Sequence, residues 1–238
     1  MAYDVSIYPV KSVTIVEIMG RDAGWLTASS VLARTGSITM PQLIYLPERA
    51  FNTESFLNDV KSALEKEDHI MICISEGIHD AAGNYISATE SKEDTFGHSM
   101  LNGAGKYLEN LISARLGVKV RSVELNIPQR CSTHLASKVD LEEGFTLGSN
   151  AVELACAGET GLIPVLTRVS DNPYSVTYSN VKADTIANNA REVPQEWINE
   201  AGNNVTDDMI TYLKPLVMGE VAVEYEDGIP AFLDIPHL

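Results

Sequence analysis

Through its first 130 residues the chain alternates short apolar runs with amphipathic stretches. Residues 12–19 are apolar and rich in β-branched side chains, which predicts a buried strand with Glu17 as its one charge. Residues 23–34 read as a helix, with Leu26, Val31 and Leu32 available for packing and Gly36 as a stop. Residues 41–46 form a second short strand ending at Pro47-Glu48. In residues 55–66 Phe56, Leu57, Val60 and Leu64 fall on one side of an amphipathic helix. Residues 69–75 are a third buried strand, closed by Glu76-Gly77. Residues 78–95 are polar and acidic and read as a surface loop. A long helix follows over 97–116, its core face made by Leu101, Leu108, Leu111, Ile112 and Leu116, with Gly117 as its stop. Residues 118–127 alternate as a fourth strand and run into Pro128-Gln129-Arg130. This order predicts an α/β fold, a mostly parallel sheet with helices on both faces.

Beyond residue 130 the pattern changes. Residues 133–158 read as a helical region broken near Gly144 and Gly148, and 161–169 as a strand whose Pro164 suits an edge or bulge. Residues 171–180 are polar and turn-forming. Three short helices are expected over 181–190, 194–201 and 206–216, the last with Thr206 as N-cap and Asp207 and Asp208 in its first turn. Residues 221–238 suggest a short strand or hairpin, and residues 1–11 a helix end or linker. The divisions that follow are 1–130, 131–185 and 186–238.

Composition narrows the function classes. The 238 residues carry a net charge of −16. That argues against general binding to nucleic acid or a membrane surface, which requires a basic face. No apolar run approaches the ~20 residues that span a bilayer. The N-terminus lacks the basic flank and apolar core of a signal peptide. Three cysteines, Cys73, Cys131 and Cys156, have no paired spacing, which fits a reducing, cytoplasmic setting. Among the histidines, His79, His98 and His134 have no metal-ligand spacing. Cys73 lies in an apolar strand and reads as packed and inert. Gly103-Ala104-Gly105-Lys106 sits inside a helical pattern without a preceding strand, so it is not a nucleotide loop.

In so acidic a chain the positions of the arginines carry information. The run 13–19 stops at Gly20-Arg21 and a helix-like segment follows at once. Strand, glycine turn and helix N-terminus together build an anion site, and a guanidinium adds a fork that matches phosphate oxygens. The alternative is an ordinary strand–helix junction with a surface arginine. Three strands end in charged or glycine-containing turns: Met19-Gly20-Arg21, Ser75-Glu76-Gly77 and Gln129-Arg130. In a parallel sheet these ends share the edge where ligands sit. Two arginines would take a phosphate and Glu76 the hydroxyls of a sugar. Taken singly, Glu76 reads as a loop carboxylate, Arg130 as a surface ion pair and Arg121 as an edge-strand charge. Glu17 reads as a strand-end residue paired to a nearby base, with a functional role as the alternative.

Residues 13–26, from Val13-Thr14-Ile15 through Met19-Gly20-Arg21 to Trp25-Leu26, resemble the segment of phosphofructokinases in which Met-Gly-Arg contacts the sugar phosphate. Residues 128–140 resemble the Gln-Arg segment of that family's pyrophosphate-dependent branch. Ser75-Glu76-Gly77 matches its Glu-Gly turn, which holds fructose hydroxyls. The similarity runs in order from about residue 4 to the C-terminus. It implies that Met19, Gly20, Arg21, Glu76 and Arg130 bind fructose 6-phosphate and that Arg21 also acts catalytically by steadying charge on the transferring group. Arg121 would reach the phosphate in a neighbouring subunit of a homo-oligomer. Ile127 stands where the family has His or Tyr, and Lys11 lies near the place of a further intersubunit arginine. Neither the family's Gly-Gly-Asp donor loop nor its Thr-Ile-Asp-Asn-Asp motif, which holds the general base, occurs in this sequence.

The resemblance therefore implies the C-terminal part of a pyrophosphate-dependent 6-phosphofructokinase of glycolysis. Residues 1–130 would be the acceptor domain, 131–185 a segment returning to the donor domain, and 186–238 terminal helices and tail. Mg²⁺ would be held by the N-terminal half, so no metal ligand is expected here. An ATP-dependent enzyme and a non-catalytic fragment that binds sugar phosphate are the alternatives.

Overall fold

The computed structural model of the chain describes residues 1–86 and 103–231. Residues 87–102 of the expected loop and helix, with His98 and Leu101, lie outside the described residues, as does the tail from 232. Two compact units emerge. One comprises residues 1–129 and 190–210, the other 130–189 and 211–238.

The first unit begins with helix α1 (Ala2–Ser6) and is built on strands β1 (Ser12–Ile18), β2 (Leu43–Tyr45), β3 (His69–Ser75) and β4 (Lys119–Glu124). They form one parallel sheet in the order β2-β3-β1-β4. Every residue of β1 is buried, because helices cover both faces of the central strands; this is why its sequence does not alternate. On one face Val13, Ile15, Ile70, Ile72 and Ile74 pack against Phe56 and Val60 of α3 (Thr53–Lys66) and Leu108 and Ile112 of α4 (Ala104–Leu116). On the other, Val16, Ile18, Met71 and Cys73 stand against the short α2 (Trp25–Ser29) and the 3₁₀ turn Ser30–Ala33. Burial pushes the Cys73 thiol up to about 11, which leaves it a packed neutral group.

Local chemistry explains where the expected elements shrink or grow. Helix α3 starts two residues early because the Asn52 side chain accepts from the Ser55 N–H at 2.9 Å. The expected helix 23–34 shortens because Ser29 and Ser30 donate to the carbonyls of Leu26 and Thr27, in competition with the backbone ladder. Leu26, expected in the core, is 53% exposed. Over 194–201 only the 3₁₀ turn Gln195–Trp197 forms. Thr206 stands at the start of α8 (Asp207–Leu213) and its carbonyl accepts from the Ile210 N–H, but its buried hydroxyl makes no hydrogen bond.

The first unit ends its described sheet at residue 124, and the four-residue α5 (Pro128–Cys131) begins shortly after. The second unit contains α6 (Lys138–Cys156), β5 (Leu162–Asp171), β6 (Tyr174–Lys182) and α7 (Ala183–Ile186), with β7 (Tyr225–Glu226) and β8 (Ile229–Pro230) near the end. Helix α6 runs unbroken through Gly144 and Gly148, against expectation. Each glycine costs about 1 kcal/mol relative to alanine in a helix interior, too little to end a nineteen-residue helix capped at Ser137. Residues 171–180 are not a turn. The chain reverses at Asn172-Pro173, and Tyr174, Val176 and Tyr178 then alternate along β6, which pairs antiparallel with β5. This pairing takes Val181 and Lys182 into the strand, so the helix expected over 181–190 is reduced to α7. Among the described residues no helix is long and apolar enough to cross a membrane.

Candidate functional site

The parallel strands bring Met19-Gly20-Arg21 and Glu76 together at their C-terminal edge. The chain leaves β1 at Ile18, whose carbonyl accepts from the Glu76 N–H at 3.0 Å. Glu76 then turns its carboxylate onto the neighbouring loop. Its Oε1 accepts from the N–H of Gly20 at 3.2 Å and of Arg21 at 3.1 Å. Gln129 grips the same loop from the other side. Its Oε1 accepts from the Met19 N–H at 2.9 Å and its Nε2 donates to the Met19 carbonyl at 3.2 Å. A side-chain amide here mimics one rung of a sheet beyond the end of β1.

Arg21 adopts a left-handed conformation, with φ of 44°. A residue with a β-carbon holds that geometry only where its surroundings enforce it, at a cost on the order of 1–3 kcal/mol. Glu76 supplies one restraint. The Ser75 hydroxyl donates to the Arg21 carbonyl at 3.4 Å, and Gly77 supplies the space. A β-carbon on Gly77 would lie 1.8 Å from the Arg21 oxygen, so only glycine lets the two turns close on each other. The next residue, Asp22, accepts from the Tyr85 hydroxyl at 2.8 Å, which ties the 79–85 turn to the same loop.

The anion site expected at a helix N-terminus is corrected here. Helix α2 begins at Trp25 rather than Ala23, and the Gly24 N–H is already taken by Glu48 Oε1 at 2.8 Å. The same oxygen accepts from the Val193 N–H at 2.9 Å. A carboxylate of this chain thus occupies the place proposed for a phosphate, and the anion-binding capacity of the loop falls to Arg21. Glu48 and Gln129 were not among the expected functional residues. Their one signal was position, each lying just past a strand end next to a proline.

The remaining expected residues are Arg130 and Arg121. Arg130 follows Gln129 directly but belongs to the second unit. Arg121 lies within β4 opposite Thr14, four residues before Ile18, or about 13 Å back along the strand. There its guanidinium lies 5.5 Å from the centre of the Tyr8 ring, beside Lys119 at 5.0 Å. Lys11 sits at the opposite end of β1, 3.1 Å from Asp68 and donating to the Leu64 carbonyl. Glu17, expected to pair with a base, has no ion pair among the described residues; its Oε2 accepts from the Gly105 N–H at 2.7 Å. Among the described residues no three histidine, cysteine, aspartate or glutamate side chains gather as a metal site.

The phosphofructokinase family model matches residues 5–155. The pyrophosphate--fructose 6-phosphate 1-phosphotransferase of Xanthomonas campestris pv. campestris is 36% identical over 227 residues, which are 95% of this chain and 54% of that protein. The crystal structure of the pyrophosphate-dependent phosphofructokinase from Nitrosospira multiformis superposes with a TM-score of 0.84 at 29% identity, covering 98% of this chain and 55% of that one. The enzyme of the same name from Marinobacter aquaeolei gives 0.82 at 29% identity, covering 97% and 54%. The chain thus spans about half the length of the relatives it matches and corresponds to their C-terminal portion.

Proposed function

The chain belongs to the phosphofructokinase family, and on that premise we propose that it supplies the acceptor side of a pyrophosphate-dependent 6-phosphofructokinase. The observation that carries this reading is the Met19-Gly20-Arg21 loop, fastened by Glu76 and Gln129 at the ligand-binding edge of a parallel sheet. Arg21 takes the 6-phosphate or the transferring group, and Arg130 completes the charge. Glu76 spends Oε1 on the loop, so contact with sugar hydroxyls falls to its Oε2. Arg121, well back from the edge, serves a neighbouring subunit of a homo-oligomer.

In the reaction, the oxygen of the sugar's 1-hydroxyl bonds to the transferring phosphorus and the bridging P–O bond of pyrophosphate breaks. Phosphate leaves and the hydroxyl proton passes to a base. Positioning and charge neutralisation supply most of the rate in such transfers. This chain contributes orientation and positive charge, while base and donor loop belong to the half whose motifs it lacks. Mg²⁺ would be held by residues of that half and would neutralise charge on the transferring group. The setting is a glycolytic enzyme of the cytoplasm.

Calorimetry with fructose 6-phosphate tests the acceptor site. Arg21→Ala and Arg130→Ala are each expected to weaken binding about 10- to 100-fold, as loss of a charge-assisted contact does. No binding by the wild-type chain would overturn the reading. The purified chain with fructose 6-phosphate, pyrophosphate and Mg²⁺ is expected to yield no fructose 1,6-bisphosphate. Turnover would show that the base lies within it.

A further inference from the structure

Glu17 is a buried acid one residue from the end of the central strand, with only 5% of its surface exposed. Its carboxylate reaches across the sheet face to the start of α4 and accepts from the Gly105 N–H. Glycine gives the carboxylate room for close approach. A β-carbon on residue 105 would stand 3.1 Å from Glu17 Oε2 and 3.4 Å from the Ser122 β-carbon. The Gly103-Ala104-Gly105 stretch is therefore the seat of this carboxylate. The Glu17 carbonyl accepts from the Leu125 N–H at 3.0 Å, and the Met19 loop begins two residues on. One residue thus joins α4, the end of β4 and the strand that carries Arg21.

Among the described residues the charges around Glu17 are mostly of its own sign. Glu124 is its register partner on β4, and Glu76 stands just past the end of β3. On α4, Lys106 is paired with Glu109 at 2.7 Å, and Glu109 in turn accepts from the Ser122 N–H. The β3 residues on the same sheet face, Ile70, Ile72 and Ile74, are apolar. Ionising Glu17 therefore places a third carboxylate beneath the loop.

We propose that Glu17 is a positioning residue whose charge state sets how strongly the Met19-Gly20-Arg21 loop holds a phosphorylated sugar. This rests on the acceptor-site reading and adds a proton to it. The neutral acid adds no negative charge near the loop, whereas the carboxylate opposes a phosphate dianion through the low-dielectric sheet. Burial is the main reason the group resists ionisation, and Glu124 and Glu76 reinforce it; the Gly105 N–H pulls the other way. The balance raises Glu17 from the usual carboxylate range to about 7. By linkage, a bound sugar phosphate raises it further.

The test is calorimetry of fructose 6-phosphate with the full chain from pH 6 to 8, wild type beside Glu17→Gln. Taking the ratio of the two affinities removes the titration of the sugar phosphate itself. The ratio is expected to change about fivefold, with wild type weakening relative to the variant as pH rises. Binding with parallel pH profiles would overturn the role of Glu17 and leave the acceptor site standing. Absence of binding in both proteins at every pH would overturn the acceptor site and this proposal with it. Carbon-13 NMR of the Glu17 carboxyl in the wild-type chain gives a measurement that needs no variant. Its titration midpoint is expected to rise on adding fructose 6-phosphate, and an unmoved midpoint would refute the coupling.

Discussion

The two units differ in how far each buries its own apolar residues. In the first, a sheet with helices on both faces encloses Ile15, Phe56, Ile72 and Leu108, each fully buried. In the second, neither α6 nor the β5–β6 hairpin contains a single buried residue. Phe145 is 79% exposed, and Leu141 and Val152 lie on the same helix at helical spacing. The glycines repeat the contrast. Gly77 and Gly105 are hemmed in by Arg21 and Glu17, whereas a β-carbon on Gly144 or Gly148 would meet nothing within 4 Å. The first unit is thus a finished hydrophobic object. The second keeps an uncovered apolar face of the kind that marks an interaction surface.

The largest expected effect tests the first half of that contrast. Phe56→Ala removes a ring from the sheet–helix core and should cost about 3–5 kcal/mol in chemical denaturation. A loss below about 1 kcal/mol would mean that this core is not closed.

Next is a pH-dependent stability. Glu17 holds its proton more tightly in the fold than in the unfolded chain, where its value is near 4.5. Between about pH 4.5 and 7 the folded state therefore binds more protons, and stability falls as pH rises. The loss is complete above about 7. Glu17→Gln should leave stability unchanged near pH 4 and raise it at pH 8 by at most about 3 kcal/mol. An equal effect at both values would remove Glu17 as the cause.

Smaller effects separate the loop from the open helix. Gln129→Ala deletes both hydrogen bonds to Met19 and should cost about 1–2 kcal/mol and weaken fructose 6-phosphate binding. Gly144→Ala should stabilise α6 by up to about 1 kcal/mol, since no neighbour obstructs the methyl group. Phe145→Ser should change the stability of the chain by less than about 0.5 kcal/mol while reducing self-association in light scattering. A large loss of stability from Phe145→Ser would show that the second unit has a core after all.

The order of strands and helices in the first 130 residues was readable because each element there carries its own periodicity, and the described faces of α3 and α4 agreed with the core that formed. Met19-Gly20-Arg21 and Glu76 could be placed at one edge because parallel strands put their ends there. Residues 171–180 misled because serines and an asparagine concealed the aromatic and β-branched alternation of β6. Gly144 and Gly148 misled because one unfavourable residue does not end a long helix.

By itself, then, the sequence determined the α/β alternation, the buried strands and the family resemblance, all of which reside in local pattern and motif. Only the tertiary structure decided who holds the loop. It assigned the start of α2 to Glu48, the Met19 backbone to Gln129 and the seat of Glu17 to Gly105. Those assignments depend on side chains meeting across separations of 24, 110 and 88 residues. No local propensity encodes such a meeting; packing the sheet creates it, and burial then favours a partner for each polar group it encloses.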